Sequence, residues 1–155
     1  DQVLQSLGKN YKDKFKKKNL KNYKNYNDVR IIGMGGSSLG SKSIYNFLKH
    51  KIKKNFIFIN DLSSKAKIDN KKEHLNLVVS KSGSTIETIV NSNIHIKKKD
   101  KNIFITEDKR NYLRILGQKL KESQKKTIKL LLFDFLEILE NLKLYMQVLV
   151  YQKVK

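Results

Sequence analysis

From Asp28 onward, short apolar runs alternate with helical stretches. Val29-Arg30-Ile31-Ile32, Phe56-Ile57-Phe58-Ile59, Leu75-Asn76-Leu77-Val78-Val79 and Ile103-Phe104-Ile105 read as strands. Helices are predicted after the first strand to about Lys51, from Ser63 to about Lys72, from about Thr85 to Lys97, and from Tyr112 to Leu120. Neighbouring parallel strands need a crossover, and each crossover helix must cover a face of the sheet. Runs rich in Val, Ile and Phe without polar alternation fit strands buried on both sides. The expected fold class is therefore α/β, a three-layer, flavodoxin-like sandwich. Its core is a doubly wound parallel sheet of about four to five strands. Ligands of such sheets bind beyond the carboxyl ends of the strands, near the point where strand order reverses.

The flanks differ. Residues 1–27 read as a helix and a connection, with Leu4, Leu7, Tyr11 and Phe15 on one stripe. Residues 28–122 hold the alternating core. Residues 123–155 form a distinct tail. In it Leu130-Leu131-Leu132-Phe133 reads either as a fifth strand or as the start of a helix. Leu136, Leu139, Leu142, Met146 and Leu149 follow at amphipathic spacing.

The chain has 155 residues and a formal charge of +20. So basic a chain suits a nucleic-acid partner. The excess is almost all lysine, however, and it is spread along the whole length. Arginine occurs only at Arg30, Arg110 and Arg114, with no aromatic cluster beside them. No specific nucleic-acid partner is expected. Cysteine is absent, and His50, His74 and His95 lack metal-ligand spacing. Neither a disulfide nor a metal is expected. Asp1 to Leu7 show no apolar leader, and no window approaches the ~20 apolar residues of a membrane span. A cytoplasmic protein with no membrane partner is expected. The absence of an initial methionine predicts a trimmed or partial chain.

Two turns carry the chemistry. Gly33-Met34-Gly35-Gly36-Ser37-Ser38-Leu39-Gly40 follows the first strand and runs into a helix. Glycine lets the backbone turn sharply and approach a ligand. A helix start presents free N–H groups and partial positive charge. Together they suit an anion. The dinucleotide fingerprint is not met, because position 38 is serine. A tight turn without ligand remains open. Ser80-Lys81-Ser82-Gly83-Ser84-Thr85 follows the third strand. Its four hydroxyls can bind phosphate oxygens, and successive N–H groups can form an anion nest. Ser84-Thr85-Ile86-Glu87 also matches a capping box, which needs no ligand.

With Ile86-Glu87-Thr88 added, these two motifs resemble the glucose-6-phosphate isomerase family, in its first sugar isomerase (SIS) domain. Thr106-Glu107-Asp108, expected after the fourth strand, fits as well. The likeness runs from about Asp28 to Lys121. It implies interconversion of glucose 6-phosphate and fructose 6-phosphate, with no cofactor, in glycolysis and gluconeogenesis. It also implies a hexose 6-phosphate as ligand, and family members are commonly dimers. By the resemblance, Ser80, Ser82, Ser84 and Thr85 hold the phosphate, with the backbone of Lys81 and Gly83. Gly36 and Ser37 contact the sugar.

The reaction needs a general base, and the family's base-bearing segment has no counterpart here. From about Ser123 the chain departs from the family pattern, as a frame shift or a divergent end would produce. Glu137 and Glu140 are not assigned as base. The expectation is a chain that carries the phosphate-binding half and does not turn over alone. A non-catalytic sugar-phosphate-binding SIS module is the alternative.

Overall fold

The computed structural model describes residues 23, 25–62, 72–124 and 129–133. The helices expected within 1–27, over most of 63–72 and in the tail beyond 133 lie outside these residues. The described elements are β1 (Asp28–Ile32), α1 (Gly36–Leu48), β2 (Asn55–Ile59), β3 (Leu75–Val79), α2 (Ile86–His95), β4 (Lys101–Glu107), α3 (Tyr112–Gln124) and β5 (Lys129–Phe133). The five strands form one sheet in the order β2-β1-β3-β4-β5, and every pairing is parallel. This is the expected doubly wound α/β fold. Leu130 to Phe133 prove to be strand, in register with β4 from Ile103↔Lys129 to Glu107↔Phe133.

Of the boundaries that differ from the expected ones, three have a local reason. Helix α2 stops at His95 rather than Lys97. Ile96 is already extended, and the Asp100 carboxylate takes the Lys97 amide at 3.1 Å. Helix α1 ends at Leu48, before the lysine-rich turn that bonds Lys51 N to Leu48 O. Strand β4 runs from Lys101 to Glu107, so Thr106 and Glu107 belong to the strand. Its polar ends, Asn102 and Thr106, concealed this in the sequence; both are buried.

Side chains alternate between two faces, as strand geometry requires. On one face Val29, Ile31, Leu75, Leu77, Val79, Ile103 and Ile105 form a core with Phe56 and Tyr23, covered by Ile44 and Tyr45 of α1. On the other, Ile32, Ile59, Val78 and Phe104 meet Leu113, Leu116 and Leu120 of α3. The amino-terminal part of this second face is polar. Arg30 lies opposite Asn76, and Asn76 opposite Asn102. All three are fully buried. Arg30 donates to the His95 carbonyl at 2.9 Å and to Asp100 at 2.5 Å. Asn76 donates to Asn102 at 2.7 Å and to Asp100 at 3.3 Å. Burial pulls the Arg30 pKa down, and the Asp100 carboxylate resists that shift. An unpaired charge here would be costly, so the carboxylate is what allows a strand of this kind to hold an arginine.

Helix α2 turns its polar side inward. Thr88, Asn91, Ser92 and His95 are buried, while Ile86 and Ile94 are exposed. Asn91 donates to the Asp61 carbonyl at 3.1 Å, which ties α2 to the turn after β2.

Candidate functional site

Strands β1 and β3 are neighbours, with Ile32 opposite Val78. The turns that follow them therefore leave the sheet side by side, at its carboxyl edge. This is where strand order reverses, since the chain goes from β1 to β2 on one side and on to β3 on the other. Gly33 N bonds Ile59 O at 3.2 Å, and Ser80 N bonds Ile105 O at 3.1 Å. Each turn is thus anchored one residue past its strand. The contact between them is close. A Cβ on Gly33 would stand 2.8 Å from the Val79 carbonyl oxygen and 3.5 Å from Ser37 Cβ. Gly33 is what allows the first turn to lie against the end of β3.

The first turn swings into α1 through Gly35, whose φ is +54°. No side chain caps the helix there. Ser37 N and Ser38 N bond back to Met34 O and Gly35 O, and among the described residues the Gly36 amide has no acceptor. A Cβ on Gly36 would meet nothing within 4 Å, and its φ is not positive. Neither packing nor conformation explains this glycine.

The second turn is closed by its own hydroxyls. Ser80 Oγ accepts from Gly83 N at 3.2 Å and lies 3.1 Å from Thr85 Oγ1. Ser82 Oγ accepts from Ser84 N at 3.2 Å. Gly83 sits at φ +65°. From outside, the β4–α3 turn holds the loop. Thr106 Oγ1 and Glu107 N both donate to the Lys81 carbonyl, at 3.3 and 3.1 Å, and Leu113 N donates to Gly83 O at 3.1 Å. Ser82 and Ser84 remain exposed, and the amides of Ser82 and Thr85 have no acceptor among the described residues. Exposed hydroxyls, open amides and the start of α2 can together receive an anion.

No protein-family profile matches the chain. Individual proteins do. The chain is 33% identical over 147 residues to the glucose-6-phosphate isomerase of Methanocaldococcus jannaschii, a match covering 84% of this chain and 33% of that protein. It is 35% identical over 105 residues to that of Acholeplasma laidlawii, covering 56% of this chain and 25% of the relative. Its sequence relatives are glucose-6-phosphate isomerases. The chain spans between a quarter and a third of the length of these two. Among solved structures, the tagatose-6-phosphate ketose/aldose isomerase of Escherichia coli superposes with a TM-score of 0.64 at 14% identity, covering 89% of this chain and 42% of that one. The Vibrio vulnificus NanR protein complexed with ManNAc-6P gives 0.60 at 19% identity, covering 87% and 54%. These likenesses support the SIS-type fold.

Set against the glucose-6-phosphate isomerase resemblance, the eight expected site residues fall on two adjoining turns. Gly36 and Ser37 open α1; Ser80 to Thr85 form the turn before α2. They differ in availability. Ser80 is buried, with its hydroxyl engaged inside the loop, whereas Lys81, Ser82 and Ser84 are exposed. The capping box expected from Ser84 and Glu87 does not form. Thr85 is the N-cap residue and makes no side-chain cap bond. Ser84 instead bonds Ser82, and Thr85 Oγ1 is drawn towards Ser80 and Ser82. Among the described residues, no His, Cys, Asp or Glu cluster could hold a metal. Sequence reasoning missed Asn111, the last of a run of polar residues before a helix. Its Oδ1 accepts from Arg114 N at 2.9 Å and caps α3. An asparagine immediately before the apolar run Tyr112-Leu113 was the signal available.

Proposed function

We propose that this chain binds a hexose 6-phosphate and forms the phosphate-holding part of a glucose-6-phosphate isomerase. Gly36 carries the reading. It has no packing or conformational reason to be glycine, and it lies in an open helix start whose turn rests, through Gly33, against the end of β3. A backbone kept bare where a ligand would arrive accounts for it. In this reading Ser82, Ser84 and Thr85 donate to the phosphate oxygens, with the amides of the same turn. Ser80 holds the turn in shape, Lys81 supplies charge, and Ser37 contacts the sugar.

Moving a proton between C1 and C2 of the sugar requires a general base and a partner for the developing oxyanion. Glu107 is ion-paired with Lys109 at 2.5 Å, and we assign neither it nor any other described carboxylate as base. The base then comes from polypeptide beyond this domain or from a second subunit. The chain alone binds without turning over, in the cytoplasm, where phosphorylated sugars are found. Calorimetric titration with fructose 6-phosphate and with 6-phosphogluconate tests the binding. A coupled assay tests the rest, and conversion at the rate of a complete isomerase would refute it. A non-catalytic sugar-phosphate-binding module is the second reading. The superposition on a protein complexed with ManNAc-6P favours it, and the loops would look the same.

A further inference from the structure

Asn111 is 6% exposed, and its amide lies within hydrogen-bond reach of Thr106 Oγ1 at 3.0 Å, Lys109 O at 3.2 Å and Glu107 O at 3.3 Å. Its Oδ1 is bound to the Arg114 amide. The carboxamide is thus fixed in orientation from both ends. Gly83 rests directly on it. A Cβ on Gly83 would stand 2.2 Å from Asn111 Cγ and Oδ1 and 2.7 Å from Nδ2. Asn111 also acts at one remove. It binds the Thr106 hydroxyl, and that hydroxyl donates to the Lys81 carbonyl. Both Lys81 and Gly83, on either side of Ser82, are therefore set by one buried side chain.

We propose that Asn111 is a positioning residue for the sugar-phosphate site: it fixes the curvature of the Ser80–Thr85 turn by supporting Gly83 from below and holding Lys81 through Thr106. The inference rests on the function proposed above. Capping α3 explains only Oδ1; a serine would cap as well. The donation to Thr106 and the contact with Gly83 serve the turn.

The test compares Asn111→Ser with the unaltered chain. Serine keeps a cap for α3 and removes both the support of Gly83 and the bond to Thr106. Leu120→Ala, on α3 away from the turn, serves as a control for general destabilisation. Affinity for fructose 6-phosphate and for inorganic phosphate is read by calorimetry, and stability by thermal melting. The expected result is a loss of affinity of about tenfold or more in Asn111→Ser, equivalent to about 1.4 kcal/mol. Leu120→Ala should melt lower yet bind as the unaltered chain does. A smaller loss in Asn111→Ser overturns the proposal. If that variant does not fold, Thr106→Val carries the same test with the same threshold. Failure of the unaltered chain to bind either ligand overturns the functional reading, and this inference with it.

Discussion

Arg30 and Asp100 meet at 2.5 Å with both side chains fully out of solvent. The arginine comes from the middle of β1, and the aspartate stands just before β4. The pair thus spans β3, which lies between those strands. Removing one member strands the other's charge. Asp100→Ala is expected to cost about 3–5 kcal/mol. The double variant Arg30→Met, Asp100→Ala should cost less than that single change, since no charge is left behind. Urea unfolding of the three chains checks both statements.

The same region predicts a pH dependence. Burial lowers the pKa of His74, and the charge of Arg30 lowers it further; Asp28 and Asp100 oppose the shift only in part. Burial likewise lowers that of His95, helped by Arg30 and Lys97. A histidine with a depressed folded pKa takes its proton more readily when unfolded. Stability is therefore full above the unfolded value of 6.5 and falls as pH drops below it towards the folded pKa. The melting temperature should decline from pH 7.5 to pH 5.5. His74→Gln and His95→Gln should each flatten that decline.

The glycines separate fold from ligand. Gly83→Ala is expected to destabilise by more than the roughly 1–2 kcal/mol of a left-handed residue, because the methyl would also strike Asn111. Gly33→Ala should also destabilise, through the Val79 carbonyl 2.8 Å away. Gly36→Ala has open space and no positive φ, and should leave the melting point unchanged or slightly raised. Its cost should appear only in calorimetry, as weakened sugar-phosphate binding.

The hydroxyls divide in the same way. Ser82→Ala and Thr85→Ala should each weaken fructose 6-phosphate binding by roughly 1.5–3 kcal/mol, as for a hydrogen bond to a charged group. Ser80→Ala should act on stability as well, because its buried oxygen accepts the Gly83 amide. A melt and a titration on each variant read the two effects separately.

Much of this was legible in the sequence because the strands are short and almost wholly apolar. Leu75 to Val79 has the expected bounds, and both turns leave the carboxyl edge because the alternation calls for a parallel sheet; that they adjoin follows from the pairing of β1 with β3. Three things escaped. Arg30 and Asn102 occupy buried strand positions through partners far along the chain, and no local pattern shows that. Ser84 looked like a cap because spacing alone does not reveal that the turn's hydroxyls bind one another. Asn111 reads as an ordinary loop residue until its contact with Gly83 is known.

The pairing of β1 with β3 also bears on how the molecule comes together. Between them in the chain lie α1, β2 and the crossover that follows. Contacts so distant in sequence form only after the entropy of closing that long loop has been met. The two turns become neighbours only once that pairing has closed. A small molecule gripping both would act as a clamp across the β1–β3 seam, favouring the closed sheet over any state in which the two strands have parted.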